Sequence, residues 1–308
     1  MPEGPEVTVI REGLNNLLRN HQILGLEILP SSRFAKKSPD KYLEFVKSLP
    51  TRVKSVESKG KLIYFKFTNG WIMFNTLGLS GGWYHIKKPH SALKLQYSLG
   101  IKKKDKPQSV KTSKEITDYL DKEKGQKTCR NLFFADQMHY GHIKFINTQV
   151  ELDKKLKQIG PDILNDKTIT FDIYKKRMRK KDSKKLVKVM IDQKVISGIG
   201  NYLKSEILYH SKINPHILVK DLPDAKLKEL YNSTKLKITS SYKAKGASLR
   251  HYSDIDNQKG TFAFEFHVYK KQKDKLGNKV VREKTADNKT TFWVPKIQTF
   301  GVYRCSYS

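Results

Sequence analysis

The chain has little cysteine and little acid. Its 308 residues include two cysteines, Cys129 and Cys305. A single distant pair is too small for a disulfide framework or for a zinc site with four thiolate ligands. We therefore expect a protein of a reducing compartment without such a zinc site.

Long apolar segments are missing as well. No stretch approaches the roughly 18 to 20 apolar residues that a membrane-spanning helix needs. The N-terminus carries acids and prolines where a signal peptide has a basic and then an apolar region. We expect a soluble intracellular protein with no membrane partner.

The scarcity of acids leaves a large positive charge. Sixty-one Lys and Arg against 30 Asp and Glu give a formal net charge of +31. A sequence pI of about 9.9 makes nucleic acid the default partner. A generally basic, solvated surface is the alternative, but it does not explain why so few acids offset the lysines.

The N-terminus, Met1-Pro2-Glu3-Gly4-Pro5-Glu6-Val7, has the composition of a nucleophilic site. If Met1 is removed, Pro2 presents a secondary α-amine beside the Glu3 carboxylate. An α-amine titrates near pH ~8, so part of it is unprotonated and nucleophilic at neutral pH. Pro and Glu also favour the first turn of any helix, so this motif alone leaves both interpretations open.

The first half of the chain has the pattern of a β domain that follows one helix. Short runs rich in β-branched and aromatic residues predict antiparallel strands. They are Ile23–Leu29, Thr51–Lys59, Leu62–Thr68, Trp71–Phe74, Gly82–Ile86, Leu93–Leu99, Asn131–Asp136 and His142–Ile146. We expect residues 1–148 to form a β-sandwich domain with an N-terminal helix, interrupted at residues 101–128 by a basic insertion.

The apolar spacing becomes helical near residue 150 and returns to a β pattern near residue 261. We expect a helical domain over residues 149–260 and a β-hairpin with a tail over residues 261–308, with a turn at Gly277-Asn278. The fold class is therefore α+β with two domains. Between two helices, the turn Ser197-Gly198-Ile199-Gly200-Asn201 is expected to offer backbone N–H groups to a phosphate.

Four ordered motifs resemble one family, the Fpg/Nei DNA glycosylases. They are P-E-G-P-E from Pro2, K-L-I-Y-F from Lys61 with L-G-L-S-G from Leu77, G-P-D-I-L from Gly160, and G-I-G-N-Y-L-K-S-E from Gly198. The Gly4 form of the N-terminus is closer to the endonuclease VIII (Nei) branch than to the Fpg branch. The lysine-rich, cysteine-poor chain is similar to the Nei-like enzymes of giant viruses and vertebrates.

The resemblance implies a bifunctional DNA glycosylase and AP lyase with four catalytic residues. Pro2 would attack C1′ of the damaged nucleotide, and Glu3 would move protons at the sugar as its ring opens. Glu6 would orient the site, and Lys61 would contact the phosphate and assist proton transfer. An ordinary exposed lysine at a strand end is the alternative for Lys61.

The resemblance also implies side chains that fill the space left by a flipped base. Leu79 occupies the first wedge position, which is usually Met in the family. The second cluster departs from the family pattern D-x-R-R-F-G, since the chain has Asp136-Gln137-Met138-His139-Tyr140-Gly141. Tyr140 can still stack and His139 is a candidate phosphate contact, but Met138 replaces the arginine that faces the opposite base, so selectivity for that base is expected to be weak.

Further DNA contacts follow from the helix–two-turn–helix motif and the hairpin. The resemblance places Lys194 and Asn201 on phosphates beside the lesion and gives Glu206 a structural role between the two helices. The four-cysteine zinc finger of the family is missing, so we expect a zinc-less β-hairpin finger. Lys289 stands where that finger usually has its phosphate-binding arginine.

The resemblance therefore implies a monomeric enzyme of base excision repair that removes oxidised pyrimidines by β,δ-elimination, without a metal or an organic cofactor. Its partner is double-stranded DNA with oxidised bases or abasic sites, with single-stranded DNA left open. Its location is wherever DNA is repaired, in the nucleus or at a viral or cytoplasmic replication site. Two alternatives remain: an Fpg-type enzyme acting on oxidised purines, and a non-catalytic protein that binds damaged DNA.

Overall fold

A computed structural model of the chain describes residues 2–30, 32–99, 129–247 and 260–300. The helices in chain order are α1 (Gly4–Leu18), α2 (Tyr42–Lys47), α3 (Gln149–Lys157), α4 (Phe171–Arg179), α5 (Leu186–Ile191), α6 (Asn201–His210) and α7 (Asp224–Lys243). The strands are β1 (Gln22–Ile28), β2 (Thr51–Lys59), β3 (Leu62–Phe67), β4 (Ile72–Thr76), β5 (Gly82–Tyr84), β6 (Ser91–Ser98), β7 (Cys129–Ala135), β8 (His142–Ile146), β9 (Val281–Lys284) and β10 (Thr290–Trp293).

The first eight strands form one antiparallel sheet in the order β5-β7-β6-β1-β2-β3-β4-β8. β1 pairs with β2 over a short register, Gln22 with Arg52 and Ile23 with Thr51, so the sheet divides there into two halves. The alternation of apolar and polar residues along β2 and β6 puts one face of each strand in the core.

Trp83 of β5 shows that the two halves of the sheet face each other. Its ring lies 5.7 Å, between centroids, from the ring of Phe65 in β3. Its indole N–H donates to the Oδ1 atom of Asn75 in β4 at 3.0 Å. All three residues are buried, so the core of the N-terminal domain lies between the halves.

Helix α1 joins the two domains. Its apolar residues at spacings of three and four, among them Val7, Ile10 and Leu14, are buried. The helix packs on β2 on one side and on α7 of the helical domain on the other. The residues that precede α1 are therefore held between the domains.

The C-terminal hairpin differs from the expected one in the place of its turn. β9 and β10 pair from Val281 with Trp293 to Lys284 with Thr290, so the chain reverses over residues 285–289. The Gly277-Asn278 turn supports only an isolated bridge between Lys273 and Lys279. A local turn signal predicts a reversal but does not fix which reversal carries the longer ladder.

The predicted α+β fold is confirmed: an antiparallel sheet with an N-terminal helix, a helical domain and a terminal hairpin. The expected basic insertion at 101–128 lies outside the described residues, as do residues 248–259. Among the described helices, none is both long enough and apolar enough to cross a membrane.

Candidate active site

One surface cavity of about 630 Å³ brings together five of the sequence-predicted site residues from five separate parts of the chain. They are Pro2, Lys61, Leu79, Tyr140 and Lys289. Four lysines and no carboxylate line this cavity, which gives it a strongly positive potential suited to phosphates. We call it the active-site cavity.

Glu3 lies beside Pro2, 2 % exposed, and is held by the first turn of α6. Its carboxylate accepts backbone N–H groups from Gly200 at 2.6 Å, Tyr202 at 2.9 Å and Leu203 at 3.3 Å. These are the orphan donors of a helix N-terminus, where the dipole also favours a negative charge. A Cβ atom at Gly200 would overlap this carboxylate, so the approach needs glycine there.

Burial raises the pKa of Glu3 to about 7. Desolvation is the largest effect, Lys61 and the helix N–H groups lower the pKa, and Glu6 raises it. Loss of water thus outweighs the donors that favour the carboxylate. Near neutral pH, Glu3 is present in both forms and can give or take a proton.

Glu6 lies one helical turn behind Glu3 and is fully buried. Its carboxylate accepts the Glu3 backbone N–H at 2.7 Å, the Tyr202 hydroxyl at 2.9 Å and the Ala247 backbone N–H at 2.7 Å. Burial also raises the pKa of Glu6. The side chain therefore fixes the backbone of Glu3 relative to the helical domain, as an orienting residue does.

Lys61 sits in the turn between β2 and β3, and Gly60 allows that turn by its positive φ of 58°. The Gly60 backbone N–H donates to the Oδ2 atom of Asp162 at 2.7 Å, which ties the turn to the second domain. Desolvation lowers the pKa of Lys61, and the nearby Glu3 and Glu6 oppose that shift. Lys61 and Glu3 therefore affect each other's protonation.

Two loops carry the predicted wedge side chains to the same rim. Asp136 is buried and accepts the Ser80 hydroxyl at 2.7 Å and the Gly141 backbone N–H at 2.5 Å. These bonds connect the β4–β5 loop, which holds Leu79, to the β7–β8 loop. Tyr140 is 56 % exposed in the second loop and lines the active-site cavity.

Lys289 reaches the active-site cavity from the turn before β10, and a buried ion pair holds that turn. Lys204 of α6 donates to the Oδ2 atom of Asp287 at 2.5 Å, with both side chains 0 % exposed. Asp287 also accepts the Lys289 backbone N–H at 3.2 Å. The pair therefore sets the position of Lys289 relative to α6.

Glu206 is structural, but its partners are not those expected from the sequence. Instead of linking two helices, its carboxylate accepts backbone N–H groups of His267, Val268 and Tyr269 at 2.9–3.1 Å. It therefore fastens the segment that leads into the C-terminal hairpin to α6.

Other expected phosphate contacts lie apart from the active-site cavity. The N–H groups of the Gly198–Asn201 turn were expected to face a phosphate, but Glu3 takes the Gly200 N–H and Gln193 takes that of Gly198 at 3.0 Å. The Asn201 amide donates to the Thr290 carbonyl at 2.7 Å and ties α6 to β10. Lys194 is exposed and does not line the cavity.

His139 is also placed away from the cavity lining. It adopts a positive φ of 56°, and its ring meets that of His90 edge-on at 5.8 Å between centroids. In this structure the His139 ring therefore contacts the ring of His90.

Sequence reasoning missed residues that the tertiary structure supplies. Lys59, Lys155 and Gln193 line the active-site cavity. Asp162 belongs to the G-P-D-I-L motif, which marked its importance without showing that it anchors Gly60. The partnership of Lys204 with Asp287 left no local signal, since 83 residues separate the two.

Breaking the Lys204–Asp287 pair is expected to destabilise the fold. Lys204→Met leaves the Asp287 carboxylate buried without a cation, which typically costs about 3–5 kcal/mol. Adding Asp287→Asn removes that charge and keeps an acceptor for the Lys289 N–H, so the double variant should recover most of the loss. Urea unfolding measures both, and a single variant as stable as the parent would show that the pair contributes nothing.

Three family models match the chain in order. The formamidopyrimidine-DNA glycosylase N-terminal domain matches residues 1–143, the H2TH (helix–two-turn–helix) domain matches residues 159–253, and the C-terminal domain matches residues 253–299. Together they span nearly the whole chain and include every lining residue of the active-site cavity except Lys155.

Curated proteins with the name formamidopyrimidine-DNA glycosylase are similar over the same length. The protein of Ligilactobacillus salivarius is 25% identical over 97% of this chain and 99% of its own. That of Mycoplasmopsis pulmonis is 26% identical over 97% of this chain and 98% of its own.

Solved structures show that the fold is shared. MutM (Fpg) of Thermus thermophilus superposes with a TM-score of 0.77 at 20% identity, over 97% of this chain and 100% of its own. Lactococcus lactis Fpg in complex with DNA containing an abasic site gives a TM-score of 0.75 at 21% identity, over 96% of this chain and 99% of its own.

Proposed function

Since the chain belongs to the formamidopyrimidine-DNA glycosylase family and is a DNA N-glycosylase and AP lyase of base excision repair, we propose that Pro2 is its nucleophile. The observation that carries this proposal is the active-site cavity, which has Pro2 in its wall and Glu3 buried beside it. A protein that only bound damaged DNA would need neither a buried N-terminal proline nor a carboxyl with a pKa of about 7.

The first half of the reaction replaces a carbon–nitrogen bond to the base by one to Pro2. After removal of Met1, the Pro2 amine attacks C1′, the glycosidic bond breaks, and the base leaves with the bonding electrons and takes up a proton. Protonated Glu3 donates to O4′, and the sugar ring opens. The product is an iminium ion, because a secondary amine has no second proton to lose.

The second half uses that cation as an electron sink. Loss of a C2′ proton drives elimination of the 3′ phosphate, and a second elimination releases the 5′ phosphate. The iminium nitrogen takes up the electron pair of each C–H bond that breaks, at C2′ and then at C4′, and the resulting enamine returns that pair to expel the phosphate. Lys61 and Lys289, which line the same cavity, stabilise the phosphates that leave. Water then releases Pro2.

For the lesion we propose oxidised pyrimidines, as in the Nei-like branch with a zinc-less finger. Residues 261–300 contain no cysteine, and the hairpin packs through Val268, Val280, Phe292 and Val294 instead. An enzyme for oxidised purines is the second candidate, because the matched models and the curated relatives carry the formamidopyrimidine-DNA glycosylase name. We propose a monomer acting on duplex DNA, and single-stranded DNA is a further substrate to assay.

Weak selectivity for the base opposite the lesion forms part of the proposal. Met138, in the loop that carries Tyr140, is 49 % exposed. A thioether cannot make the bidentate hydrogen bonds by which an arginine distinguishes bases. The loop therefore contacts the opposite base mainly by shape.

A panel of lesions tests the proposed lesion class and the proposed weak selectivity for the opposite base. Oxidised pyrimidines and oxidised purines, each opposite all four bases and also in single strands, are assayed in single turnovers. We expect oxidised pyrimidines to be cut fastest. The identity of the opposite base should change the rate by less than about tenfold. Met138→Arg should increase the discrimination between opposite bases by about 1–3 kcal/mol. Faster cutting of oxidised purines would favour the second candidate.

A further inference from the structure

A second basic cavity lies on the C-terminal hairpin and shares no lining residue with the active-site cavity. Its volume is about 700 Å³. Its lining is Lys270, Lys271, Gln272, Lys273, Lys279, Val280, Arg282 and Phe292. Five of these side chains are cationic and none is acidic. We call it the hairpin cavity.

The lining of the hairpin cavity contains no acid, whereas two other surface cavities of the described chain contain both lysines and acids. A cavity beside α3 and β8 has Asp40 and Glu151 among its lysines, and a smaller one on α3 includes Asp153. The active-site cavity, in contrast, is lined by cations without acids. The hairpin cavity therefore repeats the electrostatic character of the site that handles phosphates.

The free protein carries an electrostatic cost in the hairpin cavity. The bridge between Lys273 and Lys279 puts two like charges directly opposite each other, which is destabilising. Within the described residues, no carboxylate forms an ion pair with any of the five cations. An anion bound among them would relieve this repulsion.

The turn beside these lysines is held rigid by an acid that is already engaged. Asp274 accepts backbone N–H groups of Leu276 at 2.9 Å and Asn278 at 2.8 Å, and the Tyr209 hydroxyl at 3.0 Å. Its carboxylate therefore fixes the backbone of the turn between Lys273 and Lys279.

The floor of the hairpin cavity is rigid and apolar. Phe292 is 8 % exposed and pairs with Arg282 across β9 and β10. Its ring meets that of Tyr269 edge-on at 5.1 Å between centroids, and Glu206 holds the backbone of Tyr269. A group of cations beside an apolar floor suits the sugar–phosphate backbone of a nucleic acid.

The C-terminal hairpin carries lining residues of both cavities. Lys289 lines the active-site cavity, and Phe292 of the hairpin cavity follows three residues later, so their backbones are about 10 Å apart at about 3.3 Å per strand residue. A DNA strand has one phosphate per about 3.4 Å of helix axis, so about three nucleotides span this distance. We propose that the hairpin cavity binds the phosphodiester backbone of DNA flanking the lesion, a proposal that rests on DNA occupying the active-site cavity.

Variants in which lysines are replaced by uncharged glutamine test whether the hairpin cavity binds DNA. The hairpin variant carries Lys271→Gln, Lys273→Gln and Lys279→Gln. The control variant carries Lys47→Gln, Lys54→Gln and Lys167→Gln, three exposed lysines that line none of the cavities above. Both lose the same formal charge.

Binding is measured on three duplexes with the same abasic-site analogue. One has long flanks, and in the others the 5′ or the 3′ flank is cut to about one nucleotide, short of the three that reach the hairpin cavity. We expect the hairpin variant to bind the long duplex about tenfold more weakly, with a salt slope shallower by about 2. Shortening one of the two flanks should weaken DNA binding by the parent and by the control variant. Binding by the hairpin variant should stay almost unchanged.

Two results would overturn the site: a hairpin variant that binds the long duplex like the control variant, or one that is weakened equally on all three duplexes. Borohydride trapping separates this failure from failure of the proposed function. The hairpin variant should still trap on lesion DNA, whereas a parent that does not trap would refute the Pro2 chemistry. Lys273→Gln should not lower the melting temperature, because it removes a repulsion.

Discussion

A protein whose N-terminal amine is blocked, by retained Met1 or by a fused segment, is expected to lose borohydride trapping on abasic DNA by at least about 10³-fold. The physical reason is that acylation turns the Pro2 nitrogen into an amide, which is not nucleophilic and cannot form an iminium. The cavity lysines remain, so DNA affinity should stay within a few-fold of the processed protein.

The same segment fused at the C-terminus is the matched control, because it adds the same mass and leaves the α-amine free. Mass spectrometry verifies the state of Met1 in each preparation. Trapping by the blocked protein at the rate of the control would assign the covalent bond to another amine, with Lys61 the first to examine because it lines the same cavity and has a lowered pKa.

Glu3→Gln is expected to slow base excision by about 10²- to 10⁴-fold, the usual contribution of a positioned acid or base. The single carbonyl oxygen of a glutamine can accept the N–H of Gly200 or that of Tyr202, as one oxygen of the protonated Glu3 does, but the amide cannot transfer a proton to O4′. Because the pKa of Glu3 is about 7, the parent's single-turnover rate should fall as the pH rises above about 7, and the variant should lack that limb.

Stability separates this chemistry from a structural effect. A carboxyl with a pKa higher in the folded than in the unfolded state binds more protons when folded, so its contribution to the free energy of unfolding falls as pH rises from about 4.5 to 7. At about pH 8 Glu3→Gln should therefore unfold at no lower urea concentration than the parent. A variant that is both unstable and inactive would instead make Glu3 a structural residue, and an unchanged excision rate would remove it from the mechanism.

Much of the fold could be predicted because its signals are local. The eight predicted strands of the sheet correspond to β1–β8, within a few residues at their ends. Alternating apolar residues bury one face of a strand wherever the partner strand lies. The turn of the C-terminal hairpin was predicted less well, since Gly277-Asn278 is a real turn but Lys204 and Glu206 fix the longer hairpin from outside it.

The candidate site was also predicted only in part, since some of its contacts depend on distant residues. Pro2, Lys61, Leu79, Tyr140 and Lys289 were identified from motifs, and they line one cavity. The Gly198–Asn201 turn was predicted to offer backbone N–H groups to a phosphate, and in the structure the Gly200 N–H donates to the Glu3 carboxylate. A helix N-terminus binds whichever negative group the tertiary structure supplies, and 197 residues separate Glu3 from Gly200.

By itself, the sequence determined the amine of Pro2, the charge of +31 and the local pattern of strands and helices, because each depends on residue type and short-range spacing. Only the tertiary structure decided the pKa of Glu3, the position of Lys289 and the existence of the hairpin cavity. The groups that desolvate Glu3 and position Lys289 come from distant parts of the chain, and the hairpin cavity exists only because the strand pairing brings residues 270–273, 279–282 and 292 together.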